Sequence, residues 1–257
     1  MCAEDPPTES PKAEPLHGDV LVAIATYNER DNIPQLVDEI LGTAADIDVL
    51  IVDDNSPDGT GTWCAERAAV DRRVYCLQRA GKLGLGTAVI AGLRYAIERD
   101  YAYVVNMDAD WSHPPRVIPQ LVAGVRGPTA VDVMIGSRYV PGGAIRGWSP
   151  WRHVMSRLVN LYARLLLGLD VRDCSGSFRC YRTERLRKLD FDAFRARGYA
   201  FFEEILWRLR RTGACFGEVP IVFEDRRRGR SKINSGEAVR ALGTILRLGL
   251  ERWWRSS

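Results

Sequence analysis

The first half of the chain alternates short, continuous apolar runs with longer segments that carry apolar residues at helical spacing. Four apolar runs have the length of buried strands and lie at residues 20–25, 49–52, 74–77 and 101–107. The segments between them fit helices and lie at residues 33–41, 60–69 and 84–97. A further strand is predicted at residues 131–135. This alternation predicts an α/β fold with a mostly parallel, doubly wound sheet, helices on both of its faces and right-handed crossovers.

The second half contains two segments in which apolar and basic residues recur at helical spacing, residues 151–169 and 238–254. They predict C-terminal amphipathic helices with basic polar faces. The apolar stripe of the first helix consists of Val154, Leu158, Leu161, Leu165 and Leu169. Two interpretations stay open for such a helix, because it can pack on its own domain or lie in a membrane interface.

Polar residues collect where the predicted strands end, and the most distinctive of them are Asp108 and Asp110. Alternate side chains of a strand share a face, so we expect both carboxylates on one side. Carboxylate oxygens suit Mg²⁺ or Mn²⁺, and open α/β sheets bind ligands at this edge. Taken alone, Asp-x-Asp also fits a simple turn after a strand. His113 has no second His or Cys nearby, so we interpret it as structural.

Charge divides the chain into two unlike halves. Residues 1–137 carry 11 Lys and Arg against 21 Asp and Glu, a net charge of −10. Residues 138–257 carry 25 against 12, a net charge of +13. An acidic half with a metal-type motif joined to a basic half suggests two kinds of ligand, the second of them anionic.

Composition narrows the class of protein. The apolar fraction of 46% suffices for a buried core. Residues 1–19 are rich in Pro, Glu and Ser, so they predict a disordered tail rather than a signal peptide. No run approaches the roughly 18 apolar residues of a membrane-spanning helix. The six cysteines form neither a Cys-x-x-Cys pair nor a Cys/His cluster, which favours reduced thiols in a cytoplasmic compartment.

The motifs also argue against several ligand classes. Residues 84–89 begin like a dinucleotide fingerprint but lack its third glycine, and no P-loop sequence occurs. The sequence therefore disfavours a dehydrogenase and an ATPase. The positive charge is confined to one half and carries no recognisable nucleic-acid motif, so we expect no nucleic-acid partner.

Eight blocks, in this order, resemble inverting GT-A glycosyltransferases of family 2, and the resemblance covers about residues 18–250. The blocks are residues 25–29 (ATYNE), 52–60 (VDDNSPDGT), 82–86 (KLGLG), 108–110 (DAD), 136–139 (GSRY), 173–179 (DCSGSFR), 217–221 (GEVPI) and 225–232 (DRRRGRSK). The last three narrow the resemblance to polyprenol-phosphate (dolichol-phosphate) mannosyltransferases. It implies the GT-A fold in one catalytic domain over residues 20–257, with a nucleotide and metal half (20–137) and an acceptor and membrane-surface half (138–257).

The resemblance also implies the site residues. Those that bind the nucleotide sugar are Ala25, Tyr27, Glu29, Val52, Asp54, Lys82, Asp108, Ala109, Asp110, Arg226 and Lys232. Those that bind the acceptor phosphate are Arg138, Arg152 and Ser156. Those around a Mg²⁺ or Mn²⁺ ion are Asp108, Asp110 and Ser112. The implied catalytic residues are Asp110, Arg138 and Lys232. Two positions depart from the family pattern, since many members have Pro in place of Ala25 and some have Gln in place of Ser112.

The implied reaction is inverting transfer of mannose from GDP-mannose to a polyprenol (dolichol) phosphate, giving polyprenyl β-mannosyl phosphate. The acceptor is a phosphate monoester that is already ionised at pH 7, so it needs no general base. Two alternatives are a polyprenyl-phosphate glucosyltransferase that uses UDP-glucose and a catalytically silent nucleotide-sugar-binding scaffold. We expect a peripheral protein on the cytoplasmic face of a membrane. Short family members either bind the membrane surface directly or need small membrane subunits, and both options stay open.

Overall fold

The computed structural model of the chain describes residues 18–127, 130–225 and 235–254. Its strands are β1 (Val20–Thr26), β2 (Ile47–Asp53), β3 (Val74–Gln78), β4 (Tyr103–Asp108), β5 (Val133–Ser137), β6 (Ala144–Arg146), β7 (Arg179–Arg182), β8 (Phe216–Pro220) and β9 (Val222–Glu224). Its helices are α1 (Ile33–Leu41), α2 (Thr60–Val70), α3 (Leu85–Glu98), α4 (Ile118–Val125), α5 (Pro150–Leu167), α6 (Thr183–Leu186), α7 (Phe201–Arg211) and α8 (Ser235–Trp254). Of the predicted tail, only Gly18 and Asp19 belong to the described residues.

The main sheet has the strand order β3-β2-β1-β4-β7-β5-β8 within the described residues. Strands β1 to β4 are parallel, as are β5 and β8, which confirms the predicted mostly parallel sheet. Strand β7 is the exception, because it runs antiparallel between β4 and β5. The sequence did not predict it, since residues 179–182 read Arg-Cys-Tyr-Arg and form no apolar run. The predicted strand 131–135 is shifted by two residues, so Arg138 follows β5 directly.

Both faces of the sheet are covered, which explains why its strands are continuously apolar. Leu21 and Ala23 of β1 point to one face and pack in a cluster with residues of α3, α7 and α8. Val22 and Ile24 point to the other face and pack with residues of α1 and α4. The alternation of strand side chains therefore divides the core into two layers.

Helices α5 and α8 pack against each other beside this core. A Cβ atom added at Gly249 would lie 3.0 Å from the Leu166 Cβ, so the two helices are close there. Leu169, the last residue of the predicted stripe, is buried beyond the end of α5. The other four stripe residues are exposed, so the stripe does not pack on its own domain. Among residues 18–127, 130–225 and 235–254, no helix has the length and apolar character needed to cross a membrane.

Candidate active site

The carboxyl ends of β1, β2 and β4 form the centre of the candidate site. Ala25 of β1 pairs in register with Val52 of β2 on one side and with Asp108 of β4 on the other. Three residues that the resemblance assigned to the nucleotide sugar are therefore neighbours on adjacent strands. This is the edge where open α/β sheets bind their ligands.

The loops after β1 and β2 are fixed to each other by backbone-to-side-chain hydrogen bonds. The Asn28 N–H donates to the Ser56 hydroxyl at 3.0 Å, and the Glu29 N–H donates to the Thr60 hydroxyl at 3.1 Å. Asn28 and Asn55 both have positive φ angles, of 61° and 58°. Asn tolerates this left-handed conformation better than most residues, so the sequence favours these sharp turns.

Asn32 has a role that differs from helix capping. It is the residue before α1, but its side chain makes no capping hydrogen bond to the helix. Instead its Nδ2 donates to the Glu29 Oε2 at 2.8 Å. The expected nucleotide-contacting carboxylate is therefore held in place by a residue of the next turn.

Asp54 is held by an arginine that the sequence did not single out. The Arg79 Nη1 donates to the Asp54 Oδ1 at 2.8 Å, and the Arg79 Nη2 donates to the Thr87 hydroxyl at 2.6 Å. Burial raises the pKa of Asp54 above its ordinary value, while the charge of Arg79 opposes that rise. The Lys82 Nζ lies 4.5 Å from the centre of the Tyr27 ring, so these two predicted residues are in contact as well.

The Asp-Ala-Asp segment turns sharply where it leaves the sheet. Strand β4 ends at Asp108, so strand alternation cannot explain the position of Asp110. The turn contains Trp111 with a φ of 66°, an uncommon conformation for a bulky residue. The Asp110 Oδ1 accepts hydrogen bonds from the Ser112 N–H at 3.2 Å and from the Ser112 hydroxyl at 2.6 Å. Ser112 therefore orients the second carboxylate.

His113 connects this turn to the second half of the chain. Its Nδ1 accepts a hydrogen bond from the Asp108 N–H at 3.1 Å, which places the proton of the neutral ring on Nε2. The ring is buried and stacks on Phe178 with 5.0 Å between ring centres. Burial lowers the pKa of His113, and the nearby Asp108 and Asp110 carboxylates only partly oppose this effect. These contacts support the structural interpretation of His113.

The oxygen atoms of the Asp-Ala-Asp turn fit a hard divalent cation. Within the described part of the chain, no group of three or more His, Cys, Asp or Glu side chains is arranged to hold a metal ion. Mg²⁺ and similar ions, however, usually bind through one or two carboxylates and complete their shell with waters and substrate phosphates. Asp108 and Asp110, with the Ser112 hydroxyl beside them, match that donor set.

Arg138 is locked into a buried ion pair. Its Nε and Nη2 donate to the two Asp173 carboxylate oxygens at 2.7 and 2.6 Å, and its Nη2 also donates to the Ser175 hydroxyl at 2.9 Å. Asp173 is fully buried. Burial alone would raise the pKa of Asp173, but the Arg138 guanidinium outweighs it and holds the pKa below its ordinary value. The fixed bidentate geometry gives Arg138 a single orientation.

Arg152 and Ser156 lie on the same side of α5, as their spacing predicts. The Arg152 Nη1 donates to the Asp225 Oδ2 at 3.1 Å, and the guanidinium lies 4.0 Å from the centre of the Trp148 ring. The Ser156 hydroxyl is hydrogen-bonded to the Tyr139 hydroxyl at 2.6 Å. Arg138 lies 5.7 Å from the Trp148 ring centre and 5.3 Å from the Tyr139 ring centre. Trp148 is therefore shared by Arg138 and Arg152, and Tyr139 by Arg138 and Ser156.

The structure thus brings most of the predicted site residues to one edge of the sheet. His113 has Asp108, Asp110 and Arg138 as electrostatic neighbours, which relates the predicted metal residues to the predicted acceptor residues. Arg226 and Lys232 lie outside the described residues. Sequence reasoning gave no role to several supporting residues, and these are Arg79, Tyr139, Trp148, Asp173 and Asp225.

Comparison with known proteins identifies relatives over nearly the whole chain. A family model described as glycosyl transferase family 2 matches residues 21–190. An undecaprenyl-phosphate mannosyltransferase of Micrococcus luteus is 43% identical over 235 residues, which cover 91% of this chain and 96% of the relative. A polyprenol monophosphomannose synthase of Mycolicibacterium smegmatis is 40% identical over 249 residues, which cover 96% and 91%.

Solved structures with a similar fold include glucosyl-3-phosphoglycerate synthase from Mycobacterium tuberculosis. Its complex with Mn²⁺, UDP and phosphoglyceric acid has a TM-score of 0.66 and 19% sequence identity, covering 91% of this chain and 78% of that chain. Its complex with Mn²⁺ and UDP-glucose has a TM-score of 0.64 at the same identity and coverage. At this level of identity the likeness shows a shared fold.

Proposed function

Because this chain belongs to glycosyl transferase family 2 and is a glycosyltransferase of the GT-A fold, we propose that it transfers mannose from GDP-mannose to a polyprenol phosphate. The two relatives described above support the sugar and the acceptor class, since both are named for mannose and a polyprenol or undecaprenol. The observation that carries the proposal is the cluster of Arg138, Arg152 and Ser156 near Asp108 and Asp110.

The chemistry of this cluster supports a phosphate rather than a hydroxyl acceptor. A hydroxyl acceptor needs a general base, commonly a carboxylate. Asp173 and Asp225, which lie beside the cluster, form ion pairs with Arg138 and Arg152. A phosphate monoester has a second pKa near 6, so it is a nucleophile at pH 7 without losing a proton to the enzyme. Cationic side chains that bind it are then sufficient.

The bond changes follow from this assignment. A phosphate oxygen of the acceptor forms a bond to the anomeric carbon of mannose while the bond from that carbon to the GDP oxygen breaks. The electron pair leaves with GDP, and no proton has to be removed from the acceptor. Attack from the side opposite GDP inverts the α-linked sugar into a β-linked polyprenyl phosphate. Arg138 and Arg152 offset the repulsion between the acceptor and donor phosphates.

The donor is recognised at the ends of β1 and β2. Asp54 accepts hydrogen bonds from the Watson–Crick edge of guanine, and Arg79 orients its carboxylate and opposes the rise in its pKa that burial causes. Each carboxylate oxygen can accept two hydrogen bonds, so the pairing with Arg79 leaves acceptor capacity for the base. Following the resemblance, we also assign to the donor Ala25, Tyr27, Glu29, Val52, Lys82 and Ala109, the last of which lies between the two carboxylates in the sequence.

Asp108 and Asp110 would hold a Mg²⁺ or Mn²⁺ ion, with Ser112 beside them. When bound, such an ion offsets the negative charge that develops on the diphosphate leaving group. Mn²⁺ was present in the complexes of the structural relative, which agrees with this choice of metal. Following the resemblance, we assign Arg226 and Lys232 to the donor diphosphate as well.

An exposed apolar surface supports binding to a membrane, where a polyprenol acceptor resides. The apolar face, as we call it, consists of Trp151, Val154, Leu158, Leu161 and Leu165 of α5 and Leu242, Leu246, Leu250 and Trp253 of α8. Contiguous apolar patches of this kind mark interaction surfaces, and amphipathic helices with terminal tryptophans suit a membrane interface. We propose that this face docks directly on the cytoplasmic surface of a membrane.

Competition between donors tests the proposed reaction. The protein is given GDP-mannose and UDP-glucose together with a short-chain polyprenyl phosphate, and the transferred sugar and its anomeric configuration are determined by NMR. We expect β-linked mannose. Transfer of glucose would show that the donor is UDP-glucose and would leave the acceptor assignment unchanged. An α-linked product would contradict in-line attack. No transfer of either sugar to the detergent-dispersed acceptor would favour the silent scaffold or a missing membrane subunit.

A further inference from the structure

A second basic site lies on α5, next to the acceptor cluster. It is a cavity of about 560 Å³ that Arg152 and Ser156 do not line, although the acceptor residue Arg138 and its neighbour Tyr139 do. Arg157 and Arg164 of α5 line it, together with Arg172 from the segment before β7. Residues 140–143, which contain two glycines, line it as well. We call this cavity the arginine pocket.

The arginines of this pocket differ from the other arginines around them. Arg138, Arg152 and Arg210 each form an ion pair with an aspartate. No ion pair of Arg157, Arg164 or Arg172 occurs among the described residues. The Arg164 Nε is buried and has no hydrogen-bond acceptor there. A buried donor without an acceptor, inside a cavity with three unpaired guanidinium groups, fits a bound anion.

The pocket also borders the apolar face. Leu161 belongs to the apolar face and lines the pocket as well. A smaller cavity of about 360 Å³ shares Leu161 and Arg164 with the pocket and extends toward Arg252 of α8. Successive helix residues are about 100° apart, so Arg157 points well away from Ser156 and toward the membrane side of the helix. An anion in this pocket would therefore lie at the level of the lipid headgroups.

We propose that Arg157, Arg164 and Arg172 of the arginine pocket bind the phosphate of an anionic membrane phospholipid, a second phosphate beside the acceptor phosphate that we assign to Arg138. Guanidinium groups bind phosphate oxygens in a bidentate manner, which suits a headgroup phosphate. Free inorganic phosphate has the same chemistry, but the adjoining apolar face gives a lipid a second attachment through its acyl chains. The inference deepens the proposed membrane docking and rests on it, although it does not depend on the sugar that is transferred.

The test compares two double variants of equal charge. Arg157→Gln/Arg164→Gln changes the pocket, and Arg72→Gln/Arg99→Gln changes exposed arginines before β3 and β4, at the opposite edge of the sheet. Binding of the full chain to phosphatidylcholine vesicles, with and without phosphatidylglycerol, is measured by co-sedimentation in the absence of any substrate. Circular dichroism and thermal unfolding verify that both variants are folded.

We expect phosphatidylglycerol to increase the vesicle affinity of the wild-type chain. In the pocket variant this increase should be smaller by a factor of roughly five for each arginine replaced. The control variant is expected to lose less than twofold. Equal losses of vesicle affinity in both variants would show that only the net charge of the protein matters, which would overturn the proposal. A raised acceptor KM in detergent with unchanged vesicle binding would assign the arginines to the acceptor site instead.

Inorganic phosphate distinguishes the two sources of the anion. Inorganic phosphate could protect the wild-type chain, but not the pocket variant, against thermal unfolding, while phosphatidylglycerol has no effect on vesicle binding. This pair of results would identify a site for the free ion and contradict the lipid assignment. Because vesicle binding is measured without donor or acceptor, a failure of mannosyl transfer leaves this result interpretable. Failure of the chain to bind any vesicle would instead contradict the membrane docking on which the inference rests.

Discussion

At the scale of single residues, Arg79 shows what a sequence does and does not reveal about this site. It lies just after β3, where an arginine could equally be an exposed surface residue. In the structure it joins Asp54 to Thr87, the start of α3, and thereby fixes the carboxylate proposed to bind guanine. Its position five residues before Gly84, where the glycine motif begins, was the only signal in the sequence, since a residue in a turn belongs to no periodic pattern.

Replacement of Arg79 tests this role. In Arg79→Gln the charge that opposes the effect of burial on the pKa of Asp54 is gone, so a larger fraction of Asp54 is protonated and loses acceptor capacity. We expect GDP to bind roughly tenfold more weakly, as measured by calorimetry. The matched control is Arg72→Gln, an exposed arginine at the other end of β3. GDP affinity within twofold of wild type in both variants would remove Arg79 from the donor site.

Asp110 is the residue on which the metal assignment rests most heavily. In Asp110→Asn the neutral amide is a weaker ligand, so we expect loss of Mn²⁺ binding by electron paramagnetic resonance and a fall in transfer rate of roughly 100-fold or more. Asp192→Asn is a suitable control, since that side chain is 88% exposed on the surface. Normal Mn²⁺ binding by the Asp110 variant would show that the ion is held elsewhere.

Glu203 predicts a pH dependence of stability. It is buried on α7 with its Oε2 unpaired, and burial raises its pKa to about 7 from an ordinary value of 4.5. Between these two pH values the folded protein holds the proton and the unfolded chain releases it. The stabilising contribution of protonated Glu203 is therefore complete below pH 4.5 and is lost as the pH rises to about 7.

We expect the free energy of unfolding of the wild type to fall relative to that of Glu203→Gln across this window, by roughly 2–3 kcal/mol. Urea unfolding at several pH values measures it. Glu66→Gln, an exposed glutamate of α2, serves as the control and should follow the wild type. A constant difference between wild type and the Glu203 variant from pH 4.5 to 7.5 would contradict the raised pKa.

At the scale of elements, helix α5 carries residues of three proposed functions. Arg152 and Ser156 belong to the acceptor cluster, Arg157 and Arg164 line the arginine pocket, and the side chains of the apolar face are exposed. Helical spacing predicted both the helix and its stripe. It could not predict whether the stripe packs on the core, because exposure depends on which other elements cover the helix. Strand β7 was missed for a related reason, since its arginine-bearing sequence has no strand-like pattern.

Charges placed on the apolar face test its contact with a membrane. Leu158 and Leu165 are 52% and 70% exposed, so Leu158→Glu/Leu165→Glu should fold normally. We expect it to bind vesicles at least tenfold more weakly, because a leucine buried in the bilayer contributes roughly 1.5–3 kcal/mol. The control Val70→Glu changes an 82% exposed valine on α2. Vesicle binding as tight as that of the control would favour recruitment by a membrane subunit.

At the scale of the whole molecule, a strand of the basic half, β7, lies between two strands of the acidic half. This strand lies between β4, which ends in the first carboxylate of the Asp-Ala-Asp turn, and β5, which leads into Arg138. The sequence predicted the parallel sheet and the polar residues at its carboxyl edge from apolar runs alone. It did not predict that a short antiparallel strand brings Asp173 and the acceptor residues beside the metal motif. Such long-range pairing leaves no local pattern in a sequence.

The most direct test of the account is the transfer of labelled mannose from GDP-mannose to a polyprenyl phosphate, with Mn²⁺ and with EDTA. We predict an organic-extractable product that forms with Mn²⁺ and disappears with EDTA, because the residues that we assign to the donor, the acceptor and the cation lie at the same edge of the sheet. Product formed equally well with EDTA would contradict the metal assignment. Product formed with a free polyprenol but not with its phosphate would contradict the central claim that the acceptor is a phosphate.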